Sequence, residues 1–211
     1  MTDRSISQEI NGKKLRAKIV LIGDRGVGKT TFQRIWLGTI YNTEYLMTIG
    51  ADFASKEITF CYIPTKTTYH IRFQIWNLAC QPRFKAINEL YYQGANGALC
   101  FFDITNQKSY RNVAEWIKAF WSFNGRGIQP VMIVGTKSDL RENPTFPSQV
   151  TAKTAKIYAR ELSANVQPKY GFNVHYIESS VQDNLNVDEL FRLLAYEIIN
   201  HRTFSEKMTK R

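Results

Sequence analysis

Cysteine is scarce in this chain of 211 residues: Cys61, Cys80 and Cys100 are all there are. An odd count without paired spacing excludes a disulfide framework or a cysteine-based zinc site. It fits a reducing compartment. Cys61 and Cys100 lie in apolar, strand-like runs and are expected to be inert core thiols. Long apolar runs are also missing, and none approaches the ~20 residues needed to cross a bilayer. The first eleven residues are polar and lack the apolar centre of a secretory signal. Residue 2 is Thr where N-myristoylation needs Gly. Acidic residues are outnumbered, 18 against 28 Lys and Arg, for a net charge of +10. That balance suits an acidic partner or a solvated basic surface. The charges are scattered without a basic–aromatic motif, so no nucleic acid is expected as partner. The expectation is a monomeric cytoplasmic protein with at most weak peripheral contact at a membrane.

What is present is an alternation of strand and helix patterns. Leu15–Ile22 is β-rich and ends at Gly23, and a helix pattern follows over Lys29–Leu37. Phe53–Ile63 and Tyr69–Trp76 alternate apolar and polar residues around a turn, which predicts a hairpin. Gly97–Phe102 and Val131–Val134 are short apolar runs suited to strands buried on both faces. Helices are predicted over Ser109–Phe120, Thr151–Leu162 and from Val187 onward, and a last strand over Val174–Ile177. This order predicts an α/β fold with a six-stranded, mostly parallel sheet, one antiparallel edge strand and helices on both faces. Ligands of such sheets bind beyond the carboxyl ends of the strands.

Three motifs fall on loops at that end. Gly23-Asp24-Arg25-Gly26-Val27-Gly28-Lys29-Thr30 matches GxxxxGK[ST] between a strand and a helix. Backbone N–H groups from Asp24 through Thr31 and a helix N-terminus can cradle phosphates there. Lys29 supplies charge to the outer phosphates and Thr30 an oxygen for Mg²⁺. Val131–Val134 leads into Gly135-Thr136-Lys137-Ser138-Asp139-Leu140. Asp139 can accept both donors on guanine, a pair that adenine lacks, and the Lys137 stem can lie across the base. Tyr45-Leu46-Met47-Thr48-Ile49-Gly50-Ala51-Asp52-Phe53 and Trp76-Asn77-Leu78-Ala79-Cys80-Gln81-Pro82-Arg83-Phe84 complete the set.

Together these segments resemble the Ras-superfamily small GTPases over roughly residues 15–202, with a P-loop NTPase fold. The first switch is similar to the YxxTIGxDF of Rab proteins and the guanine loop to the TKxD form of the Rho branch. The resemblance implies GTP or GDP as ligand with Mg²⁺, and a GTP-binding domain over 14–202 between an N-terminal tail and a short basic tail at 203–211. Residues 1–13 and 203–211 are expected to lie outside that domain. The family's carboxyl-terminal prenylated cysteines have no counterpart in Lys207-Met208-Thr209-Lys210-Arg211. The resemblance makes Thr48 a Mg²⁺ ligand that also meets the γ-phosphate. Tyr45 then closes over the phosphates and Tyr41 lies against the base, unless both simply pack. Glu178-Ser179-Ser180-Val181-Gln182 resembles the ETSAK loop, in which the Val181 N–H meets the guanine oxygen, flanked by Ser180 and Gln182. Gln81 becomes the catalytic residue that orients water. Exchange factors, GTPase-activating proteins and effectors are implied at 41–55 and 76–92. Two short insertions, at 143–147 and 163–171, are partner surfaces or neutral loop growth.

The second switch departs from the family's WDTAGQERF at two defining positions. Asn77 stands where an Asp holds Mg²⁺ indirectly, and Cys80 where a Gly meets the γ-phosphate. Arg25 occupies a position that is small in relatives, where it obstructs the catalytic space or acts as an arginine supplied in cis. Slow GTP hydrolysis is expected. The alternative is a nucleotide-locked scaffold that binds partners without cycling. Lys29→Ala is expected to remove most triphosphate affinity, and Thr30→Asn to weaken Mg²⁺-dependent GTP binding more than GDP binding. Titration with fluorescent GTP and GDP checks both, and parent-like binding by both variants sinks the phosphate-loop assignment.

Overall fold

The computed structural model describes residues 12–38, 51–78, 85–146 and 149–210, with backbone alone at 85–88. Six strands are described: β1 (Lys13–Gly23), β2 (Ala51–Tyr62), β3 (Thr67–Leu78), β4 (Gly97–Asp103), β5 (Val131–Thr136) and β6 (His175–Ser179). They form one sheet in the order β2-β3-β1-β4-β5-β6. Only the β2–β3 hairpin pairs antiparallel, which puts the antiparallel strand at the edge as the alternation predicts. The helices are α1 (Lys29–Trp36), α2 (Lys85–Tyr92), α3 (Gln107–Arg111), α4 (Val113–Phe123), α5 (Ala152–Tyr170) and α6 (Val187–Thr209).

The side-chain period of two divides β1 between two cores. Ala17, Ile19 and Leu21 join Phe32 and Trp36 of α1 and Leu190, Phe191 and Leu194 of α6. Val20 and Ile22 face Val113, Ile117 and Phe120 of α4 and Ala155, Ala159 and Val166 of α5. Every residue of β4 and β5 is buried, as a strand covered on both faces requires. Phe191 is the hub of the first core: its ring stacks on Trp36 at 3.6 Å and lies 5.9 Å from Phe32 and 5.6 Å from Phe73. The helix that opens the phosphate loop is thereby packed to α6 and β3 at once.

Four expectations change. Cys100 is a buried thiol whose pKa burial pushes well above its usual range, but Cys61 is exposed. β2 is an edge strand with one solvated face, and Cys61 falls on it. The predicted helix over Ser109–Phe120 is two helices that meet at Asn112. α5 does not stop at Leu162: 163–170, read as part of an insertion, is two further turns of helix. Val166 is buried in the second core, and the Ser163 hydroxyl bridges the backbone N–H and C=O of Val174 at 2.8 Å each. Pro168 sits inside the last turn, where its lack of an N–H leaves out one i→i−4 hydrogen bond. Finally, α6 runs through most of the stretch read as a basic tail, to Thr209. α2, which follows the second switch, was not foreseen.

Phe191→Ala removes the ring on which both helices of the first core meet. Unfolding in urea is expected to show a loss of about 3–5 kcal/mol, typical of a buried aromatic cut to Ala. A loss below about 1 kcal/mol is outside the range for a fully buried ring and contradicts its role as hub.

Candidate nucleotide site

The carboxyl ends of β1, β3, β5 and β6 carry the groups picked out in the sequence, except those at 39–50 and 79–84. Tyr41, Tyr45, Thr48, Cys80 and Gln81 lie outside the described residues. β1 ends at Gly23 with φ +130, in a conformation L side chains rarely adopt; a Cβ there would sit 2.1 Å from the Phe101 carbonyl oxygen of β4. Only glycine lets the two strands close this tightly as the chain turns into the loop. The loop then enters α1 through Gly28, the left-handed N-cap. Arg25 and Gly26 are exposed, Val27 is buried, and Thr31 is half-buried in the first turn of α1. The Lys29 ammonium donates to the carbonyls of Gly23 and Asp24 at 2.8 Å each.

Asp24 is fastened from outside the loop. Its two carboxylate oxygens accept from Asn112 Nδ2 and from Trp116 Nε1, each at 2.7 Å. Of this residue, the side chain therefore belongs to α4, and the backbone is what is left to face a phosphate. Asn112 and Trp116 were not singled out from the sequence as site residues. Trp116 falls within the helix predicted over Ser109–Phe120, and nothing in its spacing marks the indole N–H as a donor to a loop ninety-two residues away.

β5 delivers the base-recognition loop. The Thr136 hydroxyl donates to the Val27 carbonyl at 2.7 Å, joining it to the phosphate loop. Lys137 adopts the left-handed region, φ 61, and its ammonium pairs with the largely buried Asp103 carboxylate at 2.5 Å. Asp103 was also missed, although it ends β4 at the ligand-facing edge of the sheet. The contact draws the Lys137 stem across the loop. Asp139 is exposed and accepts from the Ser180 hydroxyl through Oδ1 at 2.9 Å. Leu140 closes the short 3₁₀ turn that carries it. Ser180 is fully buried and also accepts from the Asp183 N–H, so the turn bearing Val181 and Gln182 is held to Asp139. Beneath it, Arg141 pairs with Glu178, which also accepts from the Tyr176 hydroxyl. Burial, and then the Glu178 carboxylate to which this hydroxyl donates, push the Tyr176 pKa well above its usual range.

Asn77, fully buried at the end of β3, donates from Nδ2 to the Thr30 hydroxyl oxygen at 2.9 Å. Its Oδ1 is buried with no hydrogen-bond partner among the described residues. An unpartnered acceptor beside a threonine hydroxyl fits a hydrated Mg²⁺, through a water on Asn77 and directly through Thr30. It brings one negative charge fewer than a carboxylate. Among the described residues no cluster of carboxylates, histidines or cysteines could hold a metal ion.

Trp116→Phe keeps the packing and deletes one donor to Asp24. A hydrogen bond to a charged group contributes about 1.5–3 kcal/mol, so release of bound guanine nucleotide is expected to quicken about tenfold or more. Stopped-flow release of a fluorescent GDP checks this. A parent-like rate shows that the clamp does not set the loop.

The sequence pattern of the Ras family matches residues 18–200. Among curated proteins, the Ras-related protein rab-11.1 of Caenorhabditis elegans is 36% identical over 181 residues, covering 86% of this chain and 76% of the relative. The Ras-related protein RABD2a of Arabidopsis thaliana is 32% identical over 181 residues, covering 86% and 79%. With the sheet order, the phosphate loop and the Asp139 loop in place, the chain belongs to the Ras family of small GTPases and to its Rab-like branch.

Proposed function

We propose that this protein is a nucleotide-dependent switch in membrane trafficking or signalling that binds GTP and GDP with Mg²⁺ and hydrolyses GTP slowly. The observation that carries the reading is the Thr136–Val27 hydrogen bond, which fixes the Asp139 loop to the phosphate loop as one site for both ends of a nucleotide. Asp139 and the Val181 N–H select guanine. Lys29 and the loop amides hold the phosphates, and Thr30, Thr48 and, through water, Asn77 hold the metal, which neutralises phosphate charge. Gln81 orients the attacking water. Partners read the nucleotide state at 41–55 and 76–92, where exchange factors and GTPase-activating proteins also act. Among the described residues no helix is long and apolar enough to cross a membrane, which is compatible with a protein that visits a membrane surface from the cytoplasm.

The neutral amide at Asn77 favours a second reading, a scaffold that keeps its nucleotide and does not cycle. Single-turnover hydrolysis separates the two. Unaided Ras turns over at about 10⁻⁴ per second, and the switch reading expects this protein at or somewhat below that rate, whereas the scaffold reading expects no conversion. Asn77→Asp is expected to tighten Mg²⁺ binding about tenfold, the effect of regaining a charge-assisted hydrogen bond. Competition titration decides the base: GDP and GTP displace a fluorescent guanine nucleotide far better than ATP, and Asp139→Asn moves preference toward xanthine nucleotide. Equal displacement by ATP refutes the guanine assignment.

A further inference from the structure

At the pole opposite the nucleotide site, β1 begins well before its neighbour. In the β1–β4 ladder Gly97, the first residue of β4, lies beside Ile19, so among the described residues no strand flanks β1 from Lys13 to Ala17 on that side. Asn96 closes the ladder: its N–H donates to the Lys18 carbonyl at 2.8 Å, and its side chain accepts from the Lys18 N–H at 2.9 Å. Backbone groups alternate sides along a strand, so Lys14 and Arg16 present their N–H and C=O in the same direction as Lys18. Neither residue has a backbone partner there among the described residues. An unpaired edge of this kind is a template for another strand.

The edge opens into a cavity of about 640 Å³, bounded by Leu15 and Arg16 on one side, Gln129 on the other, and Ile198 of α6. Arg126, Arg202 and Lys210 line the same space, where among the described lining residues Glu206 is the one carboxylate, paired with Arg202. At ~3.4 Å per residue, the open stretch of β1 is roughly 17 Å long. The two faces differ. Leu15 packs with Ile198 in the first core, whereas the side chains of Lys14 and Arg16 stand on the opposite face.

We propose that this slot is a docking site for an extended segment of a partner protein in which acidic and apolar residues alternate. The segment adds as a strand to the Lys14–Arg16 edge of β1, continuing the line of β4 below Asn96. Its acidic residues face Lys14 and Arg16, and its apolar residues face Leu15 and Ile198. The chain's charge of +10 favours such a partner at long range. Backbone bonding supplies affinity and alternate side chains supply specificity, as in other strand-addition complexes. The slot lies away from the nucleotide loops, so GDP-loaded and GTP-loaded protein bind alike.

The probe is a fluorescein-labelled, end-blocked Glu-Val-Glu-Val-Glu peptide, followed by anisotropy with the full chain. The proposal expects saturable binding that weakens about tenfold or more in Arg16→Glu/Arg126→Glu, as reversal of close charge pairs does. It expects similar weakening when the peptide's alternate amides are N-methylated, which leaves the charge unchanged. Amide hydrogen exchange reads the edge itself: the Lys14 and Arg16 amides slow on peptide addition, while those of Leu15 and Ala17, already paired with β3, do not change. A normal circular dichroism spectrum and thermal midpoint keep the double variant interpretable. Equal affinity for the N-methylated peptide, or unchanged exchange at Lys14 and Arg16, overturns the proposal. So does sedimentation with vesicles containing phosphatidylinositol 4,5-bisphosphate that depends on Arg16 and Arg126 while the peptide fails to bind, since the slot is then a headgroup site.

Discussion

The Asp24 carboxylate holds the rest of the site in register. A phosphate-binding loop is a stretch of backbone with little packing of its own, and its amides converge only if something outside fixes its path. Here that is a charged group with one donor on each oxygen, from the N-cap residue and the first turn of α4. α4 is itself seated on the sheet through Val113, Ile117 and Phe120. The loop therefore inherits the rigidity of the second core, while the helix that follows it, α1, belongs to the first core through Phe32 and Trp36. The nucleotide loop is the seam where the two layers are joined.

A second bond, from Thr136 to Val27, carries the same rigidity across to the base-recognition loop. Asp139 is then oriented through Ser180, and Lys137 through Asp103. Asp24, Lys137 and Asp139 are each held by side chains from another part of the fold. Such support lets a site discriminate between ligands that differ in one or two donors.

How much of this was legible in the sequence follows from the range of the forces involved. Strands and loops governed by local pattern were readable: GxxxxGK[ST] sits between β1 and α1, and the runs at 97–102 and 131–134 are the buried strands. The supporting residues were not readable, because Asn112, Trp116 and Asp103 act through contacts that only the folded topology creates. Helix ends failed for a related reason. Leu162 looked like the end of α5 because Ser, Asn and Pro follow it, all weak helix formers. Burial of Val166 and the Ser163 bridge to Val174 outweigh that local preference. Cys61 failed the other way: the alternation pointed to an edge hairpin, but the thiol was taken for core and falls on the wet face of that strand.

The extra turns of α5 and the extra length of α6 touch each other. α5 ends on the left-handed Gly171, φ +72, and a Cβ there would lie 2.3 Å from the Cβ of Phe204. One helical turn earlier, the ring of His201 contacts the Tyr170 carbonyl at 2.7 Å and packs edge-on against Phe172. The two lengths are therefore coupled through this contact. A lineage that shortened α5 would strand Phe204 in water, and one that shortened α6 would uncover Phe172, so losses at 163–171 and at 201–209 should travel together through descent.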